Sequence, residues 1–307
     1  MAEIRSVPLI SVVTIAYNAE KTIEHTVLSV LSQTFRDFEL LIYDACSTDK
    51  TPNLLSQLVT RDSRIRLTIH PQRQPWIFSA REGLSAARGR YFAFLDGDDF
   101  VAHNYLETLL TAITERNDSP AMGRLLHCDL GGKYVGHHPS TCQSFSFAEN
   151  KSRLLRLSKL LLTPDSHGPV NLIYALWPTE LLRTIGLWEV DGAHKNSDVL
   201  FCLRSVSATP IMPVSSTWIC RRIPSAVGEI DWPDDADAQG LCELREKSRV
   251  KITEWNFPFF LELWRFVSND ARNWLLTPLI LLLILLRVVL AVIAKAWGFM
   301  NFILRRN

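Results

Sequence analysis

Three aspartates occupy four consecutive positions directly after a short apolar segment. The segment Tyr91–Leu95 runs into Asp96, Asp98 and Asp99. A short apolar run is typical of a buried strand, and carboxylates at its C-terminal end lie where open α/β sheets bind ligands. Like charges this close repel one another, so a divalent cation that also holds a phosphate-bearing ligand is the natural partner. The competing interpretation is a polar turn, because Asp-Gly is also common turn chemistry.

The residues before the aspartates alternate between β-branched or apolar runs and helical periodicity. The pattern predicts strands over 9–16, 38–43 and 65–69 and helices over 21–33, 52–60 and 79–87. Together with the strand that ends at the aspartates, this order predicts a doubly wound, mainly parallel α/β sheet flanked by helices.

Two more groups of polar residues follow predicted strands of this sheet. Tyr17 and Asn18 end the first strand, and Asp44 ends the second. An aromatic face, a hydrogen-bonding carboxylate and a cation-binding carboxylate on one edge suit a nucleotide diphosphate. We expect Asp44 to hydrogen-bond the base or ribose, and a cation to bridge the diphosphate to Asp98. The alternative role for Asp44 is that of a turn or helix-capping aspartate.

After the aspartates the pattern is less regular. It predicts helices over 105–115, 154–162, 179–185 and 198–205, a strand over 172–177, and strands and loops over 121–147. We expect Thr179 to cap the helix that it begins and Gly186 to end it. Residues 224–240 are rich in Pro, Asp and Gly, which predicts a loop or linker.

The C-terminal segment 274–293 is apolar over about the length that spans a bilayer as a helix. Arg287 interrupts it, and burying an arginine at depth costs about 2.5–3.5 kcal/mol, which the surrounding leucines offset. Aromatic and charged residues over 255–266 suit a membrane interface. We expect membrane association through these helices, either spanning or in-plane. The soluble alternative is a buried hairpin of core helices.

Composition narrows the classes of function. The net charge of +1 indicates no nucleic-acid partner. None of the six cysteines forms a C-x-x-C pair, so neither a zinc site nor a disulfide framework is expected. The N-terminal residues lack the apolar segment and small-residue site of a signal peptide, so none is expected.

Four blocks of sequence follow one another at suitable spacing, over 11–18, 29–34, 44–51 and 87–99. This series resembles the family 2 glycosyltransferases, which have the GT-A nucleotide-sugar fold. The resemblance covers 8–105 well and 165–205 more weakly. It implies transfer of a sugar from a nucleotide-sugar donor with inversion at the anomeric carbon. It also implies an Asp-x-Asp motif for Mn²⁺ or Mg²⁺, which falls on Asp96 and Asp98.

The resemblance further implies a general base that deprotonates the acceptor hydroxyl. In the family this is an aspartate that follows a Gly-Phe-Asp-Glu-like segment and opens a helix ending in Leu-Arg. Here 186–189 reads Gly-Leu-Trp-Glu, and Asp198 opens a segment that ends at Leu203-Arg204. Asp198 therefore corresponds to the base, and an inverting displacement needs one such carboxylate on the acceptor side. Alternatively, Asp198 only charges the first turn of its helix.

One block departs from the family pattern. Phe78 and Arg81 stand where many relatives have Asp and Asn. Arg81 either binds a diphosphate oxygen or decorates a helix surface, so the donor sugar and the acceptor geometry stay open. The residues expected to contact the donor, from strand ends and resemblance together, are Ala16, Tyr17, Asn18, Asp44, Arg81 and Asp96.

These inferences predict a GT-A catalytic domain over 1–223, a linker over 224–250 and a membrane-associated helical region over 251–307. We expect an enzyme at the cytoplasmic face of a bacterial inner membrane. It would transfer a sugar to a glycan or lipid-linked acceptor in surface polysaccharide or lipopolysaccharide synthesis. The alternatives are a nucleotidyltransferase on a similar sheet and a non-catalytic carbohydrate-binding relative. The first is disfavoured because 17–20 contains no glycine for a phosphate loop.

Overall fold

The computed structural model of the protein describes residues 7–137, 146–162, 169–187 and 197–222, together with the isolated positions 278, 282 and 285. The expected linker over 224–250 and, apart from those three positions, the expected membrane-associated region over 251–307 lie outside the described residues. Within the part of the chain that is described, no helix has both the length and the hydropathy needed to cross a bilayer.

Strands and helices alternate along the described chain. In chain order the strands are β1 (Ile10–Ala16), β2 (Phe38–Asp44), β3 (Ile65–Ile69), β4 (Tyr91–Asp96), β5 (Phe100–Val101), β6 (Ala121–Cys128), β7 (Tyr134–His137), β8 (Trp177–Pro178) and β9 (Met212–Arg222). The α-helices are α1 (Ile23–Leu31), α2 (Thr51–Arg61), α3 (Trp76–Ala86), α4 (Tyr105–Glu115), α5 (Arg153–Leu162), α6 (Thr179–Ile185) and α7 (Ser197–Ala208). Short 3₁₀ helices cover Ser146–Glu149 and Pro169–Tyr174.

The larger sheet has the strand order β3-β2-β1-β4-β8. Its first four strands are parallel, and β8 is antiparallel to β4. The register aligns Ala16 with Asp44 and Ile15 with Asp96. The carboxyl ends of β1, β2 and β4 therefore lie side by side, as the sequence predicted, and the expected mainly parallel α/β sheet is confirmed.

Close packing of α3 on β1 and β2 supports the centre of this sheet. Both strands are buried along their whole length, which explains why most of their residues are apolar or β-branched. Gly83 lies at this contact between α3 and the strands. A Cβ atom at this position would lie 2.5 Å from Cγ1 of Val13, so the packing distance requires glycine.

A smaller sheet has the order β5-β9-β6-β7. Its strands β6 and β9 are parallel, whereas β5 and β7 are antiparallel to their neighbours. Pairing of Phe100 with Cys220 brings the end of β9 beside the segment that follows the aspartates. No strand was predicted over 212–222, so this arrangement was not foreseen.

Two expectations about the start of α6 and the segment before it were wrong. Residues 172–177 form the end of a 3₁₀ helix and only a short strand, because this apolar run is buried without pairing along its length. Thr179 does not cap α6, since its hydroxyl donates to the carbonyl of Gly89 at 2.6 Å. Gly186 ends α6 with φ +77°, as predicted. The other predicted helices form with ends within three residues of those expected.

The buried carboxylate of Glu39 joins three segments near the end of the larger sheet at which β1 and β2 begin. Oε1 of Glu39 accepts hydrogen bonds from Oγ of Ser11 at 2.7 Å and from the backbone N–H of Arg88 at 2.9 Å. Its Oε2 accepts from Nη2 of Arg88 at 2.7 Å and from Arg66 at 3.1 Å. Burial acts to raise the pKa of Glu39, but the hydrogen bonds from Arg88, Ser11 and Arg66 outweigh it, and the pKa is lowered.

We expect Glu39→Gln to lower the free energy of unfolding by about 2 kcal/mol at neutral pH, because it removes a charge from buried hydrogen bonds. A lowered pKa means that the contribution is present above the ordinary value near 4.5 and is lost as pH falls through the folded-state value. The difference between the two proteins should therefore narrow in acid.

Urea unfolding at several pH values measures this. Glu24→Gln, an exposed glutamate on α1, is the control. Equal stability of wild type and Glu39→Gln at pH 7 would contradict the assignment.

Candidate active site

The three aspartates lie on a tight turn that is fastened to the end of β1. The N–H of Gly97 donates to the carbonyl of Ile15 at 2.9 Å, and the N–H of Asp99 donates to the carbonyl of Asp96 at 3.1 Å. A Cβ atom on Gly97 would lie 2.6 Å from the Ile15 carbonyl oxygen, so only glycine fits. The turn and the cation-site interpretations are therefore compatible, because the Asp-Gly-Asp sequence forms a turn that also brings the carboxylates together.

Carboxylate oxygens of Asp96, Asp98 and Asp99 lie within 4.8 Å of one another. Asp96 and Asp98 are partly exposed, whereas Asp99 is buried. Oδ1 of Asp99 accepts a hydrogen bond from the backbone N–H of Arg222 at 2.9 Å. Its Oδ2 accepts none from the residues that the structure describes, and lies 3.6 Å from Nε of Arg221.

Burial and the crowding of these carboxylates raise the pKa values of Asp98 and Asp99. Burial, and next the charge of Asp96, raise the pKa of Asp98. Burial and Asp96 also raise the pKa of Asp99 well above its ordinary value, with Arg221 opposing them. A cation among the oxygens would relieve this repulsion. Oxygen ligands alone suit hard cations such as Mg²⁺ or Mn²⁺, so the donor set and the buried unbonded Oδ2 fit the expected metal.

Tyr174 is hydrogen-bonded to the acidic cluster. Its hydroxyl donates to Oδ2 of Asp96 at 2.6 Å, and its ring lies 5.4 Å from the guanidinium carbon of Arg221. Burial raises the pKa of Tyr174 well above its ordinary value, so the hydroxyl keeps its proton. Neither residue was predicted from the sequence. The tandem arginines at 221–222, which follow a run of strand-forming residues, were the one local signal available for the second.

Hydrogen bonds join the loops after β1 and β2 to each other. Asn18 has a left-handed backbone, with φ +48°. Its N–H donates to Oγ of Ser47 at 2.9 Å, and its Oδ1 accepts from the N–H of Thr48 at 2.9 Å. The N–H of Ala19 donates to Oγ1 of Thr51 at 2.8 Å. The two loops therefore form one unit at the predicted donor edge.

Asp44 is buried at the end of β2. One of its carboxylate oxygens accepts from the N–H of Ser47 at 3.0 Å, and the other accepts from the hydroxyl of Ser47 at 2.5 Å. The turn role, which was the alternative expectation, is thus present. A carboxylate oxygen can accept a second hydrogen bond, so contact with a base or ribose stays a prediction.

The other residues expected to contact the donor are spread around this edge. Ala16 is buried and accepts a backbone hydrogen bond from Ala45 at 2.8 Å. Tyr17 is exposed, with the guanidinium carbon of Arg73 3.1 Å from its ring centroid. Arg81 donates a hydrogen bond from its Nε to the carbonyl of Leu187 at 2.9 Å. Its contact with a diphosphate stays a prediction.

Asp198 lies in the first turn of α7, and only its backbone is described. The helix packs against the 3₁₀ segment Pro169–Tyr174, whose last residue holds Asp96. The ring centroids of Phe201 and Trp177 are 5.7 Å apart and fix the helix to β8. The fold therefore places the helix of the expected base beside the segment that supports the acidic cluster.

Comparison with known proteins identifies related sequences. Residues 11–172, more than half of the chain, match the family model described as Glycosyl transferase family 2. An uncharacterized glycosyltransferase of Haemophilus influenzae is 34% identical over 130 residues, which is 42% of this chain and 52% of that protein.

A second relative, the Escherichia coli UDP-Glc:alpha-D-GlcNAc-diphosphoundecaprenol beta-1,3-glucosyltransferase WfgD, is 37% identical over 130 residues, 41% of this chain and 51% of that protein. The chain therefore matches about half the length of these curated relatives.

Among solved structures, S. aureus TarS 1–349 in complex with UDP-GlcNAc superposes with a TM-score of 0.54 and 19% identity. The match covers 76% of this chain and 64% of that one. At this identity the likeness establishes the fold alone, which is GT-A-like.

We expect Tyr174→Phe to weaken Mn²⁺ binding about tenfold, because residues that orient a metal ligand typically contribute that much. The free energy of unfolding should fall by only about 1 kcal/mol, since Asp96 is partly exposed and water can replace the hydroxyl. Calorimetric titration with Mn²⁺ measures the affinity.

Tyr91→Phe is the matched control, because Tyr91 also donates to an aspartate, Asp118, but far from the cluster in the fold. Unchanged Mn²⁺ affinity in Tyr174→Phe would show that the hydroxyl does not orient Asp96.

Proposed function

The chain belongs to glycosyltransferase family 2, and we propose that it transfers a sugar from a nucleotide-diphosphate sugar to a glycan or lipid-linked acceptor. The observation that carries this proposal is the cluster of Asp96, Asp98 and Asp99 at the edge where β1, β2 and β4 end together. A diphosphate on one side and a sugar acceptor on the other would meet at this edge, which is the ligand-binding edge of open α/β sheets.

The donor is proposed to lie across the joined loops after β1 and β2. Asp44 would hydrogen-bond the base or ribose, and the exposed ring of Tyr17 would flank it. A uridine diphosphate sugar is the favoured class. WfgD carries UDP-Glc in its name, and the TarS structure contains UDP-GlcNAc. The identity of the sugar is part of the test below.

Asp96 and Asp98 are the proposed holders of Mn²⁺ or Mg²⁺. When bound, the cation supplies positive charge that stabilises the departing nucleoside diphosphate. The protein's own contribution is to hold several carboxylates in one place. Tyr174 donates to Asp96, the backbone of Arg222 donates to Asp99, and the charge of Arg221 lies alongside.

Asp198 is the proposed general base. The acceptor hydroxyl oxygen would attack the anomeric carbon while the bond from that carbon to the diphosphate oxygen breaks. The proton of the hydroxyl would pass to the carboxylate of Asp198. A single displacement of this kind inverts the anomeric configuration. The packing of α7 beside the segment Pro169–Tyr174 supports this assignment, because it brings the helix of Asp198 close to the donor edge.

A lipid-linked acceptor at the cytoplasmic face of a bacterial inner membrane is the favoured setting. The name of WfgD specifies a diphosphoundecaprenol-linked acceptor. In this chain the apolar residues 274–293 and the aromatic, charged residues before them are the proposed membrane contact. The proposed organisation is a catalytic domain over 1–223, a linker over 224–250 and a membrane-associated region over 251–307.

Turnover of a panel of nucleotide sugars by the full chain, with Mn²⁺, tests the function. A glycosyltransferase slowly hydrolyses its donor and releases the nucleoside diphosphate. A nucleotidyltransferase would instead exchange pyrophosphate, and a carbohydrate-binding relative would turn over nothing. Release of nucleoside diphosphate from one donor, accelerated by acceptor lipid, is the expected result. Pyrophosphate exchange or complete inactivity across the panel would overturn the proposal.

We predict that EDTA reduces turnover to the background and that added Mn²⁺ or Mg²⁺ restores it. Asp98→Ala should lose activity at all Mn²⁺ concentrations, because the cluster then has one carboxylate fewer. Glu24→Gln, on the surface of α1, should behave as wild type. Full activity of wild type in EDTA, after exhaustive dialysis, would exclude a metal-dependent reaction.

Asp198→Asn should lower kcat about a hundredfold or more, the usual contribution of a general base, because an amide cannot accept the proton. Donor affinity should stay within about twofold of wild type, since the residue is expected on the acceptor side. Calorimetry of UDP binding measures the donor-side affinity, and a transfer assay measures kcat. Asp37→Asn, an exposed aspartate before β2, is the control. A kcat equal to wild type would remove Asp198 from the mechanism.

A further inference from the structure

Arg222, the last residue of β9, contacts two of the three clustered aspartates. Its Nη1 donates a hydrogen bond to the backbone carbonyl of Asp98, and its backbone N–H donates to Oδ1 of Asp99 at 2.9 Å. The side chain is buried, with 5% of the residue exposed. A single buried arginine therefore fixes both the backbone and a carboxylate of the turn that is proposed to bind the cation.

His25 on α1 holds the other end of this guanidinium. Nη2 of Arg222 donates to Nδ1 of His25, and the imidazole lies on Phe100 with a centroid distance of 4.5 Å. The guanidinium carbon of Arg222 is 4.9 Å from the same Phe100 ring. The β6–β7 turn closes the arrangement, since a Cβ atom at Gly132 would lie 3.6 Å from Cε1 of His25 and 3.7 Å from Nη2 of Arg222.

The hydrogen bond defines the state of the histidine. A guanidinium has only donors, so Nδ1 of His25 must carry a lone pair and the ring must be neutral. Burial and the neighbouring charge of Arg222 lower the pKa of His25, which favours the same state. His25 itself is exposed on α1 and is not part of the hydrophobic core. Its directed contact with a buried arginine is therefore the feature that needs a function.

We propose that His25 is a positioning residue for the cation site. Its neutral ring orients Arg222, and Arg222 orients Asp98 and Asp99 so that the carboxylates converge. The inference rests on the proposed function, because it takes the Asp96–Asp99 turn as the cation site. His25 is not a catalytic residue in this arrangement, since it acts on the turn only through Arg222. Residues that hold metal ligands in this way typically contribute about 10–100-fold in affinity.

Two substitutions at His25 separate hydrogen bonding from ring packing. His25→Phe keeps an aromatic ring beside Phe100 but removes the acceptor. His25→Asn removes the ring but can place an amide oxygen near the position of Nδ1. Mn²⁺ affinity of the full chain, measured by electron paramagnetic resonance of the free ion, is the readout, with the thermal midpoint as a check of folding. His103→Phe, at an exposed histidine before α4, is the control.

We expect His25→Phe to bind Mn²⁺ about tenfold more weakly, with its thermal midpoint close to that of wild type. His25→Asn should stay within about twofold of wild type, which a merely structural role of the ring would not produce. Wild-type affinity in His25→Phe would overturn the inference and leave the proposed function standing. Equal weakening in both variants, with lower thermal midpoints, would assign the effect to ring packing and also overturn it. Failure of the wild-type chain to bind Mn²⁺ would defeat both proposals.

A double-mutant cycle tests whether His25 acts through Arg222. Arg222→Lys keeps the charge but cannot donate to Asp98 and His25 in the same fork geometry. If the two residues form one unit, the double variant His25→Phe/Arg222→Lys should lose no more Mn²⁺ affinity than the weaker-binding single variant. If the fold losses of Mn²⁺ affinity in the two single variants multiply in the double variant, the residues act independently, which would contradict the proposal that His25 acts through Arg222. Arg90→Lys, at an exposed arginine outside the site, is the control.

Discussion

Mutual repulsion among Asp96, Asp98 and Asp99 is the constraint on which the rest of the site depends. Three carboxylates with oxygens inside 4.8 Å are unfavourable unless positive charge and hydrogen-bond donors surround them. The fold provides hydrogen bonds from the Tyr174 hydroxyl and from the backbone of Arg222, and the positive charge of Arg221 lies alongside. It leaves Oδ2 of Asp99 without a hydrogen bond among the described residues. A bound cation would complete this arrangement, and this is why the metal is central to the proposed chemistry.

The parallel register brings the other parts of the site to the same edge. Ala16 aligns with Asp44, and Ile15 aligns with Asp96, so a nucleotide that contacts the first two strands extends toward the acidic turn. Asn18 donates a hydrogen bond to Ser47 and accepts one from Thr48, and these bonds make the loops after β1 and β2 one unit. A diphosphate bound here would meet a site whose backbone is already fixed, which reduces the ordering cost of binding.

Sequence alone predicted the elements whose signals are local. β1, β2 and β4 are mainly apolar or β-branched, β3 alternates polar and apolar residues, and the clustering of the aspartates is visible in four consecutive residues. The supports of the cluster were missed because they come from distant segments: Tyr174 lies 78 positions from Asp96, and Arg222 lies 123 positions from Asp99. The run 172–177 was taken for a strand because buried 3₁₀ and strand segments share an apolar composition. Asp44 shows that residue type and position at a strand end do not determine a side chain's role. Both of its carboxylate oxygens already accept hydrogen bonds from Ser47.

The location of a cation and a nucleotide relative to the acidic turn is the decisive test of the proposed function. Crystals of the full chain grown with UDP and Mn²⁺, with data collected at the manganese edge, would reveal the ion by its anomalous scattering. The proposed function predicts one strong peak bonded to a carboxylate oxygen of Asp98 and to a diphosphate oxygen, with the uridine against Asp44. UDP bound away from this edge, or UDP bound here with no anomalous peak at the aspartates, would contradict it.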